Sequence, residues 1–157
     1  MILNGGSATP TLYWGGGAGG ALAESDLSGT LTSEYMFFDG KRIARRDVAS
    51  GAVYYYLSDH LGSSNVVTNA SGQIQNESDY FPYGGEYVIQ QNLSSQHYKF
   101  TGKERDTESG NDYFGARYYA SSMGRFMSPD WAGSPTAIPY AELTNPQSLN
   151  LYALCRK

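Results

Sequence analysis

Aromatic runs rich in β-forming residues alternate along this chain with polar turns closed by glycine, the pattern of one hairpin after another. From Gly29 the turns fall into a rhythm. Gly29, Gly40, Gly51, Gly62 and Gly72 stand at spacings of 11, 11, 11 and 10. The stretches between them, 30–38, 41–48, 52–58 and 63–69, are each long enough for one strand. Two strands and two turns make a unit of about 22 residues, and in such an array each hairpin needs its neighbours for burial. Segment 90–96 is polar and unpatterned, hence a loop or hairpin tip. A second hairpin-rich stretch runs from Tyr98 to Asp130, with a Thr107-Glu-Ser-Gly110 turn inside it.

Past Asp130 the texture changes. Pro135, Pro139 and Pro146 disfavour central strands. Asn145 and Pro146 supply an N-cap and a proline at the first helical position, and Leu149, Tyr152 and Ala153 follow at i, i+3 and i+4. A short helix is predicted there. The expected fold is all-β, successive antiparallel hairpins with one short C-terminal helix. It divides into a Gly-rich, weakly ordered lead-in over 1–21, a hairpin array and core over 22–130, and a Pro-containing segment over 131–157.

Composition fits this reading. Fourteen Tyr bring rings that pack and hydroxyls that stay wet, and nineteen Gly serve the turns. The net charge of −4 creates no global field for nucleic acid or anionic lipid. Cys155 is the sole cysteine, so no internal disulfide forms, and His60 and His97 make no metal site without carboxylate help. No cofactor is expected. Neither a signal peptide nor an apolar run of membrane-spanning length is written in the sequence.

Several motifs invite chemistry. Gly15-Gly-Gly-Ala-Gly-Gly20 has the dinucleotide-binding spacing, but that function needs a strand before it and a helix after it, so a turn-forming tract is expected. Asp59, in Tyr56-x-x-Asp59-x-x-Gly62, is read as a turn residue whose carboxylate bonds backbone N–H groups. Tyr118-x-x-Ser121-x-x-Gly124 repeats the spacing. His60 belongs to the same turn as Asp59, and His97 to a strand start, where packing or exposure is expected. Glu104, Arg105, Asp106 and Glu108 read as a solvated hairpin tip. Lys41-Arg-Ile-Ala-Arg-Arg46 is the one basic cluster, without aromatic partners interleaved, and nucleic-acid binding is not expected of it. Ala120-Ser-Ser-Met-Gly124 only approaches the nucleophile-elbow pattern.

The stretch Tyr98-Lys-Phe-Thr-Gly-Lys-Glu-Arg-Asp106, then Asp112-Tyr-Phe-Gly-Ala-Arg-Tyr-Tyr119 and Gly124-Arg-Phe-Met-Ser-Pro-Asp130, closely resembles the RHS repeat-associated core of the RHS and YD-repeat proteins. Tyr54-Tyr-Tyr-Leu-Ser-Asp-His-Leu-Gly-Ser63 and Asp79-Tyr-Phe-Pro-Tyr-Gly-Gly85 extend the resemblance, as does Asn150-Leu-Tyr-Ala153 near the end. It implies a hollow β-shell enclosing a C-terminal toxin cargo, in a protein that is secreted or displayed at the cell surface. This chain is then expected to be a C-terminally truncated piece of such a shell, partnered by the rest of it and self-associating when isolated. Self-cleaving members of that family use two aspartates in Asp-Pro-x-Gly motifs as an aspartyl-protease-like pair. Asp130 matches the first, with Trp131 in place of the proline, and the second has no counterpart before Lys157. A lone carboxylate does not run a proton-sharing dyad, so Asp130 is expected to serve as a turn or cap residue. The alternatives are an autoprocessing protease completed by a segment outside this sequence, and a surface adhesion module.

Overall fold

Two antiparallel sheets organise the chain, and the first of them is a meander laid down in sequence order. The computed structural model describes residues 10–15, 20–130 and 144–154. Strands β1 (Leu12–Trp14), β2 (Ala23–Ser25), β3 (Leu31–Phe38), β4 (Lys41–Asp47), β5 (Val53–Ser58), β6 (Ser64–Asn69), β7 (Ile74–Tyr80) and β8 (Glu86–Gln91) lie side by side in that order. The smaller sheet has β9 (Glu104–Arg105), β10 (Asp112–Tyr113), β11 (Tyr118–Ala120) and β12 (Arg125–Phe126), again as successive antiparallel neighbours. Strand β1 falls within the stretch 1–21, so the sheet begins earlier than the array read from the sequence.

The turn glycines behave as their spacing requires. All five, Gly29, Gly40, Gly51, Gly62 and Gly72, have positive φ, between 69° and 86°. Three of the turns share one device. Asp26, Asp59 and Asn69 each stand three residues before a glycine and accept, through Oδ1, the backbone N–H groups two and four residues on. Asp59 is thus the turn residue the motif implied, with Leu61 and Ser63 as its donors at 2.9 and 2.8 Å.

Strand β4 contains a bulge that decides which way its arginines face. Met36 pairs with Ala44 but Phe37 with Arg42, so Ile43 is an extra residue. Arg42 and Arg45, three apart, would otherwise point to opposite faces. Both are buried, Arg42 with its guanidinium carbon 4.9 Å from the Tyr35 ring centre and Arg45 5.1 Å from that of Tyr54. The aromatic partners the basic cluster lacked in sequence come from neighbouring strands, and two of its four cations face the interior.

After β8 the chain returns beneath the large sheet. Asn76 in β7 starts this return, its Oδ1 accepting the N–H groups of Asn92 and Leu93 and its Nδ2 donating to the Leu93 carbonyl. Further along, Arg45 donates to the Ser95 carbonyl and hydroxyl, and Tyr56 donates to Gln96. An aromatic cluster then joins the two sheets. Phe100, Tyr119 and Phe126 are its buried members, with Tyr80, Phe114 and Leu154 packed against them. Phe114 meets Phe126 edge-on at 5.4 Å, and Tyr119 meets Phe126 in the same way at 5.5 Å.

The short C-terminal helix exists as one 3-10 turn, Pro146–Leu149, capped by the Asn145 side chain on the Gln147 N–H. The i, i+3, i+4 spacing of Leu149, Tyr152 and Ala153 does not become a helix face. Asn150 ends the turn in extended conformation, and the next residues dock on the small sheet. Phe126 donates its N–H to the Tyr152 carbonyl, and Ala153 bridges to Arg125. Trp131, Gly133, Pro135, Pro139, Glu142, Cys155 and the middle of the Gly15–Gly20 tract lie outside the described residues.

Candidate functional site

Charge is concentrated where the return segment meets the sheet, in two clusters that the sequence placed at the surface or did not single out. The first centres on Glu24 of β2. This buried carboxylate accepts, at one oxygen, the hydroxyls of Tyr35 and Tyr98 at 2.9 Å each, and His97 Nε2 lies 3.0 Å from the same atom. His97 Nδ1 faces the Ser95 carbonyl at 2.9 Å. An acceptor therefore faces each ring nitrogen. Burial pushes the Glu24 carboxyl up, but the hydrogen bond and charge of His97 and the two tyrosine hydroxyls outweigh it, and it settles below the ordinary range. Burial first, and the Glu24 charge second, push the Tyr35 and Tyr98 hydroxyls well up, so both remain donors. His97, expected only to pack or face solvent, thus clamps residues 95–98 onto β2.

The second cluster corrects the reading of 104–108 as a solvated tip. Arg105 points inward and reaches Asp112 with two bonds, Glu86 with one at 2.9 Å, and the Gly84 carbonyl with another at 3.2 Å. Glu86 also receives Lys99 Nζ at 2.8 Å and the Ser78 hydroxyl at 2.7 Å. Glu104 accepts the Tyr13 hydroxyl from β1, while Asp106 holds its own turn through Ser109. Only Glu108 and the residues beside it fit the exposed tip. Burial raises the Glu86 carboxyl, yet Lys99, Ser78 and Arg105 bring it below the ordinary range. For Asp112 burial prevails over Arg105 and the carboxyl is raised. An arginine, not a shared proton, sits between these two acids, which suits a clamp between the sheets.

Asp130 lies at the end of the small sheet. Its N–H donates to the Leu151 carbonyl at 2.9 Å, and its carboxylate is 3.6 Å from Arg117 Nη2 and about half exposed. Arg117 also donates to the Leu151 carbonyl and lies over the Phe126 ring. The Asn150-Leu-Tyr-Ala153 element and Asp130 are therefore neighbours in space. After Gly20 comes strand β2 rather than a helix, so the Gly15–Gly20 tract lacks the setting of a dinucleotide site. Among the described residues no three His, Cys, Asp or Glu side chains gather as metal ligands, and no helix is long and apolar enough to cross a membrane.

Sequence reasoning missed Glu24, Glu86 and Asp112. One signal was available for the last: an acid opening the aromatic run Asp112-Tyr-Phe in a strand bound for a core. Nothing local distinguishes Glu24 or Glu86.

Residues 27–156 match the Teneurin YD-shell family. Toxin subunit YenC1 of Yersinia entomophaga is 37% identical over 92 residues, covering 56% of this chain and 9% of that protein. Toxin subunit YenC2 of the same organism is 32% identical over 98 residues, 60% of this chain and 9% of its own length. The crystal structure of TcdB2-TccC3-TEV superimposes with a TM-score of 0.58 at 25% identity, covering 83% of this chain and 6% of that one. The chain thus spans less than a tenth of each of these proteins. The ordered hairpins, their glycine turns and the match across most of the length lead to one conclusion: the chain belongs to the Teneurin YD-shell family, as an RHS/YD-repeat shell domain.

Proposed function

We propose that this chain is a structural segment of a β-shell that encloses a C-terminal toxin or effector. The observation that carries this reading is the edge of the large sheet. Strand β8 is the last of eight, and Tyr87, Val88 and Ile89 are exposed along it in succession. Apolar side chains on both faces of an edge strand invite pairing with another strand. A longer shell would supply that strand. The toxin-subunit names of YenC1 and YenC2 and the TcdB2-TccC3 likeness support a place in a toxin complex, with the rest of the shell and its cargo as partners.

Limited proteolysis of the natural gene product tests this. A shell keeps a C-terminal cargo intact under native conditions, and deleting 27–130 exposes it to digestion. Equal digestion with and without 27–130 would rule the reading out.

A further inference from the structure

An antiparallel meander turns alternately at its two margins. The β1–β2, β3–β4, β5–β6 and β7–β8 turns stand at one margin of the large sheet, and the β2–β3, β4–β5 and β6–β7 turns at the other. The two margins differ in chemistry. Leu22, Phe38, Leu61, Phe81 and Tyr83 stand in or beside the turns of the first, between 53% and 74% exposed. The second has Leu27, Leu31 and Ile74 and no exposed aromatic, and the last two are only 38% and 40% exposed. Nothing in the turns themselves calls for the aromatic rings. The β3–β4 turn closes through Asp39 and Gly40, both at positive φ, yet Phe38 beside it is the most exposed large apolar side chain among the described residues.

The direction of the hydrogen bonds limits what such a margin can meet. Backbone N–H and C=O groups of a meander point from strand to strand, so only β1 and β8 offer them to further strands. Contact across a margin rests on side chains alone. The chain spans less than a tenth of the similar toxin subunits, and a wall of their size needs further courses of the same strip laid beside this one. Successive tips on one margin stand two strands apart, about 10 Å. A second course built from the same hairpin unit repeats that pitch, so its tips fall in register with these. The charges among the apolar tips, Asp39, Asp59 and Lys41, leave no cationic excess, which disfavours an anionic lipid surface as the partner.

We propose that this apolar margin is a seam, packed against a row of apolar hairpin tips from the adjoining course of the same shell, with the opposite margin left as a rim in water. The inference rests on the shell reading above. It adds to the open β8 edge, which lengthens the strip, a second and purely side-chain contact that closes strip against strip.

Hydroxyl-radical footprinting of the natural gene product, set against the dilute isolated chain, reads the margin directly. Labelling of Phe38, Phe81 and Tyr83 is expected to drop severalfold in the whole protein, with Leu27 unchanged. A photo-reactive residue in place of Phe38 is expected to join shell wall outside residues 1–157. Phe38→Ser with Phe81→Ser leaves the thermal midpoint of the isolated chain unchanged, because both rings are exposed there, and makes the cargo of the whole protein severalfold more sensitive to protease. Cargo digestion of the unsubstituted sample separates the two readings. A protected cargo with Phe38 still fully labelled keeps the shell and removes the seam, whereas a digested cargo removes the shell reading and the seam with it. Cross-links from position 38 to cargo, to a second copy or to lipid would likewise overturn the proposal.

Discussion

Arg105 holds Asp112 by two parallel hydrogen bonds, Nε to Oδ1 at 2.9 Å and Nη2 to Oδ2 at 3.0 Å, and the aspartate is wholly removed from solvent. The pair ties β9 to β10, and the Glu86 bond ties both to the large sheet.

Breaking this pair from one side strands a buried charge. Arg105→Ala is expected to cost about 3–5 kcal/mol, and the double change Arg105→Met with Asp112→Asn to recover a large share of it. Urea denaturation of the cycle checks this. A double variant no more stable than Arg105→Ala would show that the pair's geometry, not its charge, matters.

The acid response follows from the shifted carboxyls. Glu24 and Glu86 sit below their ordinary value of 4.5 in the fold, so their contribution is full above that value and is lost as pH falls through the folded values. Asp112 runs oppositely: its raised carboxyl favours the fold at low pH, and that contribution fades as pH rises through its folded value. Asp26, on the surface, is also held below its ordinary value by the Ser28 hydroxyl and the Thr30 N–H, so three lowered carboxyls stand against one raised, and the urea midpoint should fall between about pH 5 and pH 3. Glu24→Gln should make that fall shallower, and an unchanged slope would remove Glu24 from the explanation.

Glycine is required more strictly at one turn than at the others. Gly72 has φ +78° and open space where a Cβ would stand, so alanine there costs on the order of 1 kcal/mol in backbone strain alone. At Gly84 a Cβ would also lie 2.5 Å from the Phe100 ring. Gly84→Ala should therefore lower the thermal midpoint well beyond Gly72→Ala, and equal effects would refute the clash.

Asp130 anchors through its backbone N–H, which asparagine retains. The purified chain is expected to keep its full mass on long incubation at mildly acidic and neutral pH, with Asp130→Asn indistinguishable by mass spectrometry. Cleavage that depends on Asp130 would make it a catalytic residue in this chain.

The exposed edge gives the last test. Isolated chain should self-associate with rising concentration in light scattering, and Val88→Lys should reduce this by charging the edge. Indifference to that substitution would place the contact elsewhere.

Much of the fold was legible because its determinants are local. A glycine every eleven residues forces turns wherever it stands, and strands β3 to β6 fall within a residue or two of the stretches between those glycines. Site chemistry was not local. Glu24 meets Tyr98 across 74 positions and Tyr13 meets Glu104 across 91, and no spacing rule reaches that far. Arg42 and Arg45 read only as members of a basic cluster without aromatic partners, because the bulge at Ile43, which turns both inward, depends on the register of the neighbouring strand. His97 likewise acquired its partner only when the return segment was laid under β2.

The sequence-order meander also sets a timetable for synthesis. Each hairpin of β1 to β8 closes on the strand just before it, so the sheet can grow as the chain emerges, without waiting for distant segments. Residues 93–104 close the longest loops, to β2, β4, β5 and β1, and they arrive after every strand they cover. The span that follows the meander is thus the latch, and until it docks Arg42, Arg45 and Tyr56 lack their interior partners. A nascent chain arrested before Tyr98 should therefore present a formed sheet with an open, protease-sensitive underside.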